Sequence, residues 1–221
     1  MSFVEFFIFG LLLTAYMNRS YIHALNESEA LARDLELRVK ERTKDLHNAN
    51  EKLTLLASTD GLTGLANRRA LDERFEQERK SAKRVGQELC LALVDADFFK
   101  KVNDSHGHDV GDKVLVHLAN TMINELRESD LVARIGGEEF VVLLPTRNLA
   151  GGVTKLNHVR ESIAQSTIPF GDEDITISVS IGVTKVVPED DLRSALKRAD
   201  NALYIAKEKG RNRLEGIELL T

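Results

Sequence analysis

Two pairs of acidic residues stand where carboxylates are unusual, next to apolar segments that are typical of β-strands. Asp95 and Asp97 close the run LCLALVDAD. Glu138 and Glu139 open the run EEFVVLLP. If the two runs form neighbouring strands, carboxylates from both pairs meet at one edge of the sheet, where mutual repulsion raises their pKa values. Mg²⁺ relieves such repulsion and prefers one or two carboxylates plus substrate phosphates, so the pattern indicates metal-assisted phosphoryl or nucleotidyl transfer; the alternative is a set of solvated acids at strand ends.

Two further segments carry groups suited to binding phosphate. Residues 97–112, DFFKKVNDSHGHDVGD, are interpreted as a polar, glycine-containing turn that leads into a helix. Backbone N–H groups at a helix start bind phosphate well. Lys207 and Arg211 lie four residues apart at the end of a predicted helix, so we expect them on one face, within reach of triphosphate oxygens. The alternative is a surface pair that complements the helix dipole.

Alternating helix and strand patterns must position these groups. Helical periodicity predicts helices over residues 70–86, 111–129, 149–165 and 191–210, and apolar runs predict strands over 89–97 and 175–186. Residues 131–145 indicate a hairpin around Gly136 and Gly137, and residues 213–219 add an edge strand. The sum is one α/β domain from about residue 59 to 221, with a mixed sheet flanked by helices.

Composition excludes some classes of function. The net charge of −5 argues against a nucleic-acid-binding protein, which usually carries a basic surplus. The single cysteine, Cys90, cannot form an internal disulfide and fits a reducing compartment. Because it lies inside an apolar run, we expect Cys90 in the core.

The N-terminal 20 residues contain an uncharged stretch at positions 6–17, FFIFGLLLTAYM. A membrane-spanning helix needs about 20 apolar residues, and no basic residue precedes Arg19 as a signal peptide requires. Because Arg19 follows the apolar stretch, we interpret residues 1–20 as the final part of a membrane span with the rest of the chain in the cytoplasm. A short buried or interfacial helix is the alternative.

Residues 21–58 lack Gly and Pro and have a heptad pattern. The a positions are Leu25, Ala32, Val39, Leu46 and Leu53, and the d positions are Ser28, Leu35, Arg42, Ala49 and Leu56. Such a long N-terminal helix with a largely apolar seam predicts a parallel coiled-coil dimer. A single amphipathic helix packed on the domain is the alternative.

Five motifs together point to a known family. RIGGEEF at residues 134–140 resembles the GGDEF/GGEEF signature of diguanylate cyclases. Further matches occur in order at DGLTGLANRR (60–69), DADFFKKVNDSHGHDVGD (95–112), RESD (127–130) and RADNALYIAKEKGRN (198–212). The resemblance covers residues 59–221. It implies a nucleotidyl-cyclase, palm-like α+β fold with a mainly antiparallel sheet, and a bacterial enzyme that condenses two GTP into cyclic di-GMP.

The resemblance also implies roles for individual residues. Mg²⁺ or Mn²⁺ would be held by Asp95, the carbonyl of Ala96 and Glu138. Glu138 or Glu139 would ease deprotonation of the attacking ribose hydroxyl; we favour Glu138 because the metal places it beside the reacting atoms. The implied substrate-binding residues are Phe98, Phe99, Lys100, Asn103, His108, Asp112, Gly136, Gly137, Lys207 and Arg211. Among these, Asn103 and Asp112 would bind guanine, since the carboxylate of Asp112 accepts from guanine N–H donors.

Cyclic di-GMP contains two nucleotides, so the resemblance implies a homodimer with one GTP per subunit. It further implies product inhibition through Arg127 and Asp130. At His158 the family commonly has an arginine, so we expect this inhibition to be retained but weakened. A non-catalytic cyclic di-GMP receptor and a coiled-coil signalling adaptor are the alternative functions.

Overall fold

The computed structural model describes residues 14, 16–20, 35–36, 38–46, 58–171 and 173–216. The chain divides into two compact units, Met1–Thr54 and Leu55–Thr221. In the first unit the described residues are helical and exposed; most of the predicted membrane segment and of the predicted coiled coil lie outside the described residues. In the part of the chain that the structure describes, no helix is both long enough and apolar enough to cross a membrane.

A five-stranded sheet forms the centre of the second unit. The described strands are β1 (Glu88–Ala96), β2 (Leu131–Gly136), β3 (Glu139–Thr146), β4 (Ile168–Phe170), β5 (Glu173–Ile175), β6 (Val179–Val186) and β7 (Leu214–Gly216). The order in the sheet is β2-β3-β1-β6-β7, and β4 and β5 form a separate hairpin. β1 is antiparallel to both β3 and β6, β2 is antiparallel to β3, and β7 is parallel to β6. The prediction of a mixed, mainly antiparallel sheet is confirmed.

Helices cover both faces of this sheet. The described helices of the unit are α1 (Arg68–Val85), α2 (Phe99–His106), α3 (His108–Glu125), α4 (Leu149–Gln165) and α5 (Leu192–Glu208). Because side chains alternate along a strand, β1 contributes to two cores. Cys90, Ala92 and Val94 join the core under α3 and α4, whereas the leucines of β1 join the core under α1 and α5. The core position expected for Cys90 is confirmed.

Local signals at the ends of α5 and along β6 determine where α5 lies. A capping box formed by Asp191 and Ser194 starts the helix. Gly182 of β6 then permits very close packing, because a Cβ atom there would lie 2.0 Å from the carbonyl oxygen of Ala199. The backbone of α5 therefore lies directly on that of β6 at Gly182. This packing brings the C-terminal end of α5 to the edge where β1 ends.

The structure differs from the prediction in two segments. Residues 97–112 were interpreted as a turn before a helix, but they form α2 and the first turn of α3, joined at Gly107 with φ of 86°. Residues 175–186 were predicted as one strand, whereas β6 begins at Val179 and Ile175 ends β5. The first segment hides a helix of eight mostly polar residues. In the second, Ile175, Ile177 and Val179 are all buried, so the alternation in the sequence continues through the break between the two strands.

Candidate active site

The predicted meeting of the two acidic pairs is realised by β1 and β3. Asp95 is the direct antiparallel partner of Glu139, so both side chains lie on the same face of the sheet. The α5 helix contributes a cation, since Nζ of Lys207 lies 2.8 Å from Oδ1 of Asp95. Glu138 precedes β3 in the turn, and its carbonyl oxygen accepts a hydrogen bond of 3.3 Å from the amide of Ala96.

Burial and neighbouring negative charge raise the pKa values of the two facing carboxyl groups. Burial raises the pKa of Asp95, although the hydrogen bond and positive charge of Lys207 act in the opposite direction. The pKa of Glu139 is also raised, chiefly by burial and then by the negative charge of Asp95. One lysine therefore does not neutralise this edge of the sheet, and an additional cation would stabilise both carboxylates.

The donor set fits a divalent metal that completes its shell with a substrate. Among the described residues no group of three or more His, Cys, Asp or Glu side chains converges closely enough to hold an ion alone. Mg²⁺ requires no such cage, because it is usually bound by one or two carboxylates together with phosphate oxygens and water. Asp95, Glu138 and the carbonyl of Ala96 are oxygen donors of the right kind at the ends of adjacent elements.

Asp97 has a different role from Asp95. Its carboxylate is 4% exposed and accepts hydrogen bonds of 2.7 Å from the hydroxyl groups of both Ser178 and Ser180. The amide of Asn212 donates a third bond of 3.0 Å to it. Asp97 thus ties the end of β1 to β6 and to the loop after α5, and both of its oxygens accept bonds from protein donors.

The glycine turn between β2 and β3 has a backbone that other residues rarely adopt. Gly136 and Gly137 have φ values of 153° and 48°, and open space lies where their Cβ atoms would stand. Arg134 holds this turn, because its Nε and Nη2 donate to the carbonyl oxygen of Gly137 at 3.0 and 2.8 Å. Its Nη1 also lies 3.0 Å from Oδ1 of Asp60. Sequence reasoning assigned no role to Arg134 or Asp60, although each begins one of the matched motifs.

The start of α2 carries the residues expected to meet phosphates. Phe98 caps the helix in the left-handed region with φ of 57°, and its side chain is exposed. Phe99 is a core residue, so only its backbone amide is available at the helix start, and Lys100 is exposed. Nζ of Lys101 lies 4.5 Å from the Phe98 ring centroid.

Arg211 reaches the same place by a route other than the predicted one. The helix α5 ends at Glu208, so Lys207 and Arg211 do not share a helical face. Arg211 instead has φ of 64°, and its guanidinium carbon lies 4.5 Å from the centroid of the Phe98 ring. The left-handed backbone after α5 therefore turns Arg211 back toward the start of α2.

The residues expected to bind guanine meet where α2 packs on α3. Asn103 lies on α2, Asp112 lies exposed on α3, and His108 is the exposed first residue of α3. Within the described residues, the Oδ1 atom of Asn103 is one of two buried side-chain N or O atoms without a hydrogen-bond partner. Phe170, on the β4–β5 hairpin, packs edge-on against His106 at a centroid distance of 5.5 Å, next to this junction.

Two of the three residues predicted to take part in product inhibition lie together beside a cavity. Arg127 and Asp130 lie in the turn after α3, where Oδ2 of Asp130 accepts from the Arg127 amide at 2.9 Å. The side chain of Asp130 is 3% exposed and forms an ion pair with Lys155 of α4. These three residues and Arg147 line a cavity of about 610 Å³. His158 is not among the described residues that line it; its Nε2 lies 3.0 Å from Oε2 of Glu125.

The chain belongs to the GGDEF family, since the family model "Diguanylate cyclase, GGDEF domain" matches residues 57–213. Diguanylate cyclase DgcP of Pseudomonas aeruginosa is 44% identical over 177 residues, which are 80% of this chain and 26% of DgcP. Response regulator PleD of Caulobacter vibrioides is 40% identical over 184 residues, which are 82% of this chain and 40% of PleD. The chain thus spans well under two thirds of the length of these two relatives.

Solved structures agree with this assignment. The coiled coil and GGDEF domain of DgcB from Caulobacter crescentus, in complex with c-di-GMP, superimposes with a TM-score of 0.73 at 32% identity, covering 82% of this chain and 98% of that one. Diguanylate cyclase SiaD of Pseudomonas aeruginosa, in complex with its activator SiaC, gives a TM-score of 0.71 at 36% identity, covering 96% of this chain and 84% of that one.

Proposed function

We propose that this protein is a diguanylate cyclase that condenses two molecules of GTP into cyclic di-GMP. In each half-reaction a ribose 3′-oxygen forms a bond to the α-phosphorus of the other GTP, and the bond from that phosphorus to pyrophosphate breaks. The observation that carries the proposal is the pairing of Asp95 with Glu139 beside Lys207, next to an intact glycine turn. This arrangement offers anionic ligands for a metal and a cation for a triphosphate at one sheet edge.

We infer that Asp95, Glu138 and the carbonyl of Ala96 hold Mg²⁺ or Mn²⁺. The ion would neutralise charge on the transferred phosphate and bring the substrate oxygens into line. The ribose 3′-hydroxyl loses its proton during attack, and Glu138 or Glu139 eases this loss. We favour Glu138 for this role, because the metal would place it beside the reacting atoms.

The remaining residues of the site are assigned to GTP. The start of α2 at Phe98, Phe99 and Lys100 and the cations Lys207 and Arg211 face the phosphates. Asn103 and Asp112 bind guanine, with His108 at the same junction. Gly136 and Gly137 leave room for the nucleotide, which the open space beside both of them supports.

We infer that the enzyme acts as a homodimer, because each chain supplies one GTP site and the reaction joins two nucleotides. Leu35, Val39 and Leu46 support a coiled coil before the domain. They lie on described helical residues at heptad positions, and each is at least 59% exposed in the single chain. Such a stripe of apolar side chains is expected to pair with a second copy.

Product inhibition is the regulation that we infer for the cavity beside Arg127. An arginine can donate two hydrogen bonds to O6 and N7 of guanine. Asp130 is already paired with Lys155, so a guanine base must compete for this carboxylate. Together with the position of His158 outside the cavity lining, this supports weak inhibition.

The cellular location that we infer for this protein is based on its first 20 residues. We infer that the catalytic domain works in the bacterial cytoplasm and that residues 1–20 attach it to the membrane. Fractionation of cells expressing the full chain and a chain without residues 1–20 tests this inference. Equal amounts of both chains in the washed membrane fraction would contradict it.

Pyrophosphate release from GTP and Mg²⁺ by the purified full chain tests the proposed activity. Glu138→Gln should lower kcat by at least about 100-fold, the usual effect of removing a group that stabilises charge in the transition state. Glu173→Gln, an exposed acid on β5, is the control and should leave turnover unchanged. Binding of cyclic di-GMP without any pyrophosphate release would favour a non-catalytic receptor instead.

A further inference from the structure

The carboxamide of Asn103 occupies the position that a side chain on residue 111 would take, and Gly111 has no side chain. Gly111 is buried in the first turns of α3, facing α2. A Cβ atom on Gly111 would lie 1.9 Å from Oδ1 and 3.0 Å from Cγ of Asn103, and 3.2 Å from Cζ of Phe99. Because nonbonded carbon and oxygen atoms do not approach to 1.9 Å, any other residue at position 111 must displace the Asn103 carboxamide.

The backbone does not require glycine here. Gly111 is helical, and it is not among the glycines of the described chain that have positive φ. A glycine inside a helix lowers the stability of the helix by roughly 0.5–1 kcal/mol relative to alanine. What glycine offers here is space on the side of α2, where the Asn103 carboxamide comes closest and the Phe99 ring lies next.

A side chain at position 111 would displace the Asn103 carboxamide, whose oxygen accepts no hydrogen bond from the described residues. Oδ1 of Asn103 is buried, and no donor in the described residues bonds to it. A buried acceptor without a donor costs about 1–3 kcal/mol, so it calls for an explanation in a binding site. The terminal torsion of an asparagine is soft. The amide can therefore turn to a base while Cγ keeps its place beside Gly111.

We propose that Gly111 is a positioning residue for guanine selectivity. By omitting a Cβ atom, it holds the Asn103 carboxamide at the α2–α3 junction, next to Asp112. This inference rests on the proposed function, in which Asn103 and Asp112 bind the guanine of GTP. The ligand is a purine nucleotide that presents N–H donors. Gly111 acts on its binding only sterically, through the position of Asn103.

The Gly111→Ala variant tests the proposal directly. Alanine favours the helix, and the Asn103 side chain can swing away, so the variant should fold with a Tm equal to or slightly above that of the parent. Affinity for GTP carrying a methylene group between the α- and β-phosphates, which blocks the reaction, should fall about tenfold by calorimetry. The preference for GTP over inosine triphosphate, which lacks the 2-amino donor, should fall in kcat/KM measurements.

A double-mutant cycle separates this steric effect from general damage. In the Asn103→Ala background the clash is absent, so adding Gly111→Ala should change analogue affinity less than twofold. Asn120→Ala is the matched control, because it places alanine at an exposed position of the same helix. It should leave affinity and nucleotide preference unchanged.

The outcomes distinguish this inference from the proposed function. Unchanged analogue affinity in Gly111→Ala, or an equal loss in the Asn103→Ala background, overturns the inference alone. Analogue binding by the parent without pyrophosphate release from GTP contradicts the cyclase proposal alone. If Gly111→Ala does not fold, folding of the double variant supports the steric link, and its failure to fold overturns it.

Discussion

The sheet edge at Asp95 and Glu139, called the catalytic edge after its proposed function, and the cavity beside Arg127 contain the same pair of groups in opposite surroundings. Each has a largely buried aspartate in contact with a lysine, Asp95 with Lys207 and Asp130 with Lys155. At the catalytic edge a second carboxylate, Glu139, faces the pair and the pKa values of both acids are raised.

The cavity has the reverse balance. Arg127 and Arg147 add positive charge around a carboxylate that is already paired. The first arrangement calls for a cation, and the second suits an anionic ligand. The neighbours of a carboxylate–lysine pair, rather than the pair itself, determine what a site binds.

Neutralising the aspartate of each aspartate–lysine pair should give the largest difference in activity between the two sites. Asp95→Asn is expected to lower kcat by at least about 100-fold, because a metal ligand and a transition-state charge are lost together. Asp130→Asn keeps an acceptor for the Arg127 amide and should change kcat less than twofold. Initial rates of pyrophosphate release measure both variants. Equal losses in the two would remove the distinction between the sites.

Removing the lysines should give a smaller contrast. Lys207→Met is expected to raise KM for GTP about tenfold, because a charge-assisted contact to phosphate is lost. Lys155→Met should leave this KM unchanged. Lys209→Met, which breaks only an exposed pair with Glu215, is the control for loss of charge near the end of α5. An unaltered KM in Lys207→Met would show that Lys207 serves Asp95 alone.

Arg127→Ala addresses the cavity itself. We expect its affinity for cyclic di-GMP, measured by isothermal titration, to fall about tenfold, since its guanidinium is an exposed donor that can bind the guanine edge. Glu128→Ala, at the neighbouring exposed position, should bind as the parent does. If Arg127→Ala binds with unchanged affinity, the cavity is not the product site.

The ion pair of Asp60 and Arg134 extends the comparison to two charges that hold the glycine turn between β2 and β3. Burial acts to raise the pKa of Asp60, but hydrogen bonds from Thr63 and Arg134 outweigh it and lower this pKa. A lowered folded-state pKa gives stability that is present above the unfolded pKa and is lost as pH falls through the folded value. Asp60→Asn should therefore lower the free energy of unfolding by about 1 kcal/mol at pH 7.

Urea unfolding of Asp60→Asn and of the parent at pH 7 and pH 3 measures this smallest effect. The difference between them should shrink at the lower pH. A difference that is equal at both pH values would show that the charge of Asp60 does not contribute. Asp72→Asn, an exposed acid on α1, should have no effect at either pH.

Much of the fold was accessible from the sequence because its signals are local. The helix predicted over residues 149–165 is α4, and the glycine-centred hairpin is β2 and β3. The helix α2 and the β4–β5 hairpin were not predicted. The helix α2 has eight residues, of which only Phe99 and Val102 pack on the core, too few to reveal a helical period. Three-residue strands are likewise too short for a period to be visible.

The site divides in the same way. Residue types at 95, 138 and 139 indicated anionic metal ligands on the condition that the two acidic runs lie on neighbouring strands. The pairing of Asp95 with Glu139 meets this condition. Spacing could not distinguish Asp95 from Asp97, because the two serines and the amide that donate to Asp97 come from distant segments. It also misplaced Arg211, whose approach to Phe98 depends on a left-handed backbone beyond the helix.

By itself the sequence determined the family, the order of most elements and the residues available for chemistry, because these follow from composition and short-range periodicity. Only the tertiary structure decided which carboxylate faces which. It also gave Asp95 and Asp130 their lysines and brought Asn103 against Gly111. Electrostatic and steric relations act through space over a few ångströms, and the chain brings such partners together across many residues. Their outcome is therefore settled by packing rather than by spacing along the chain.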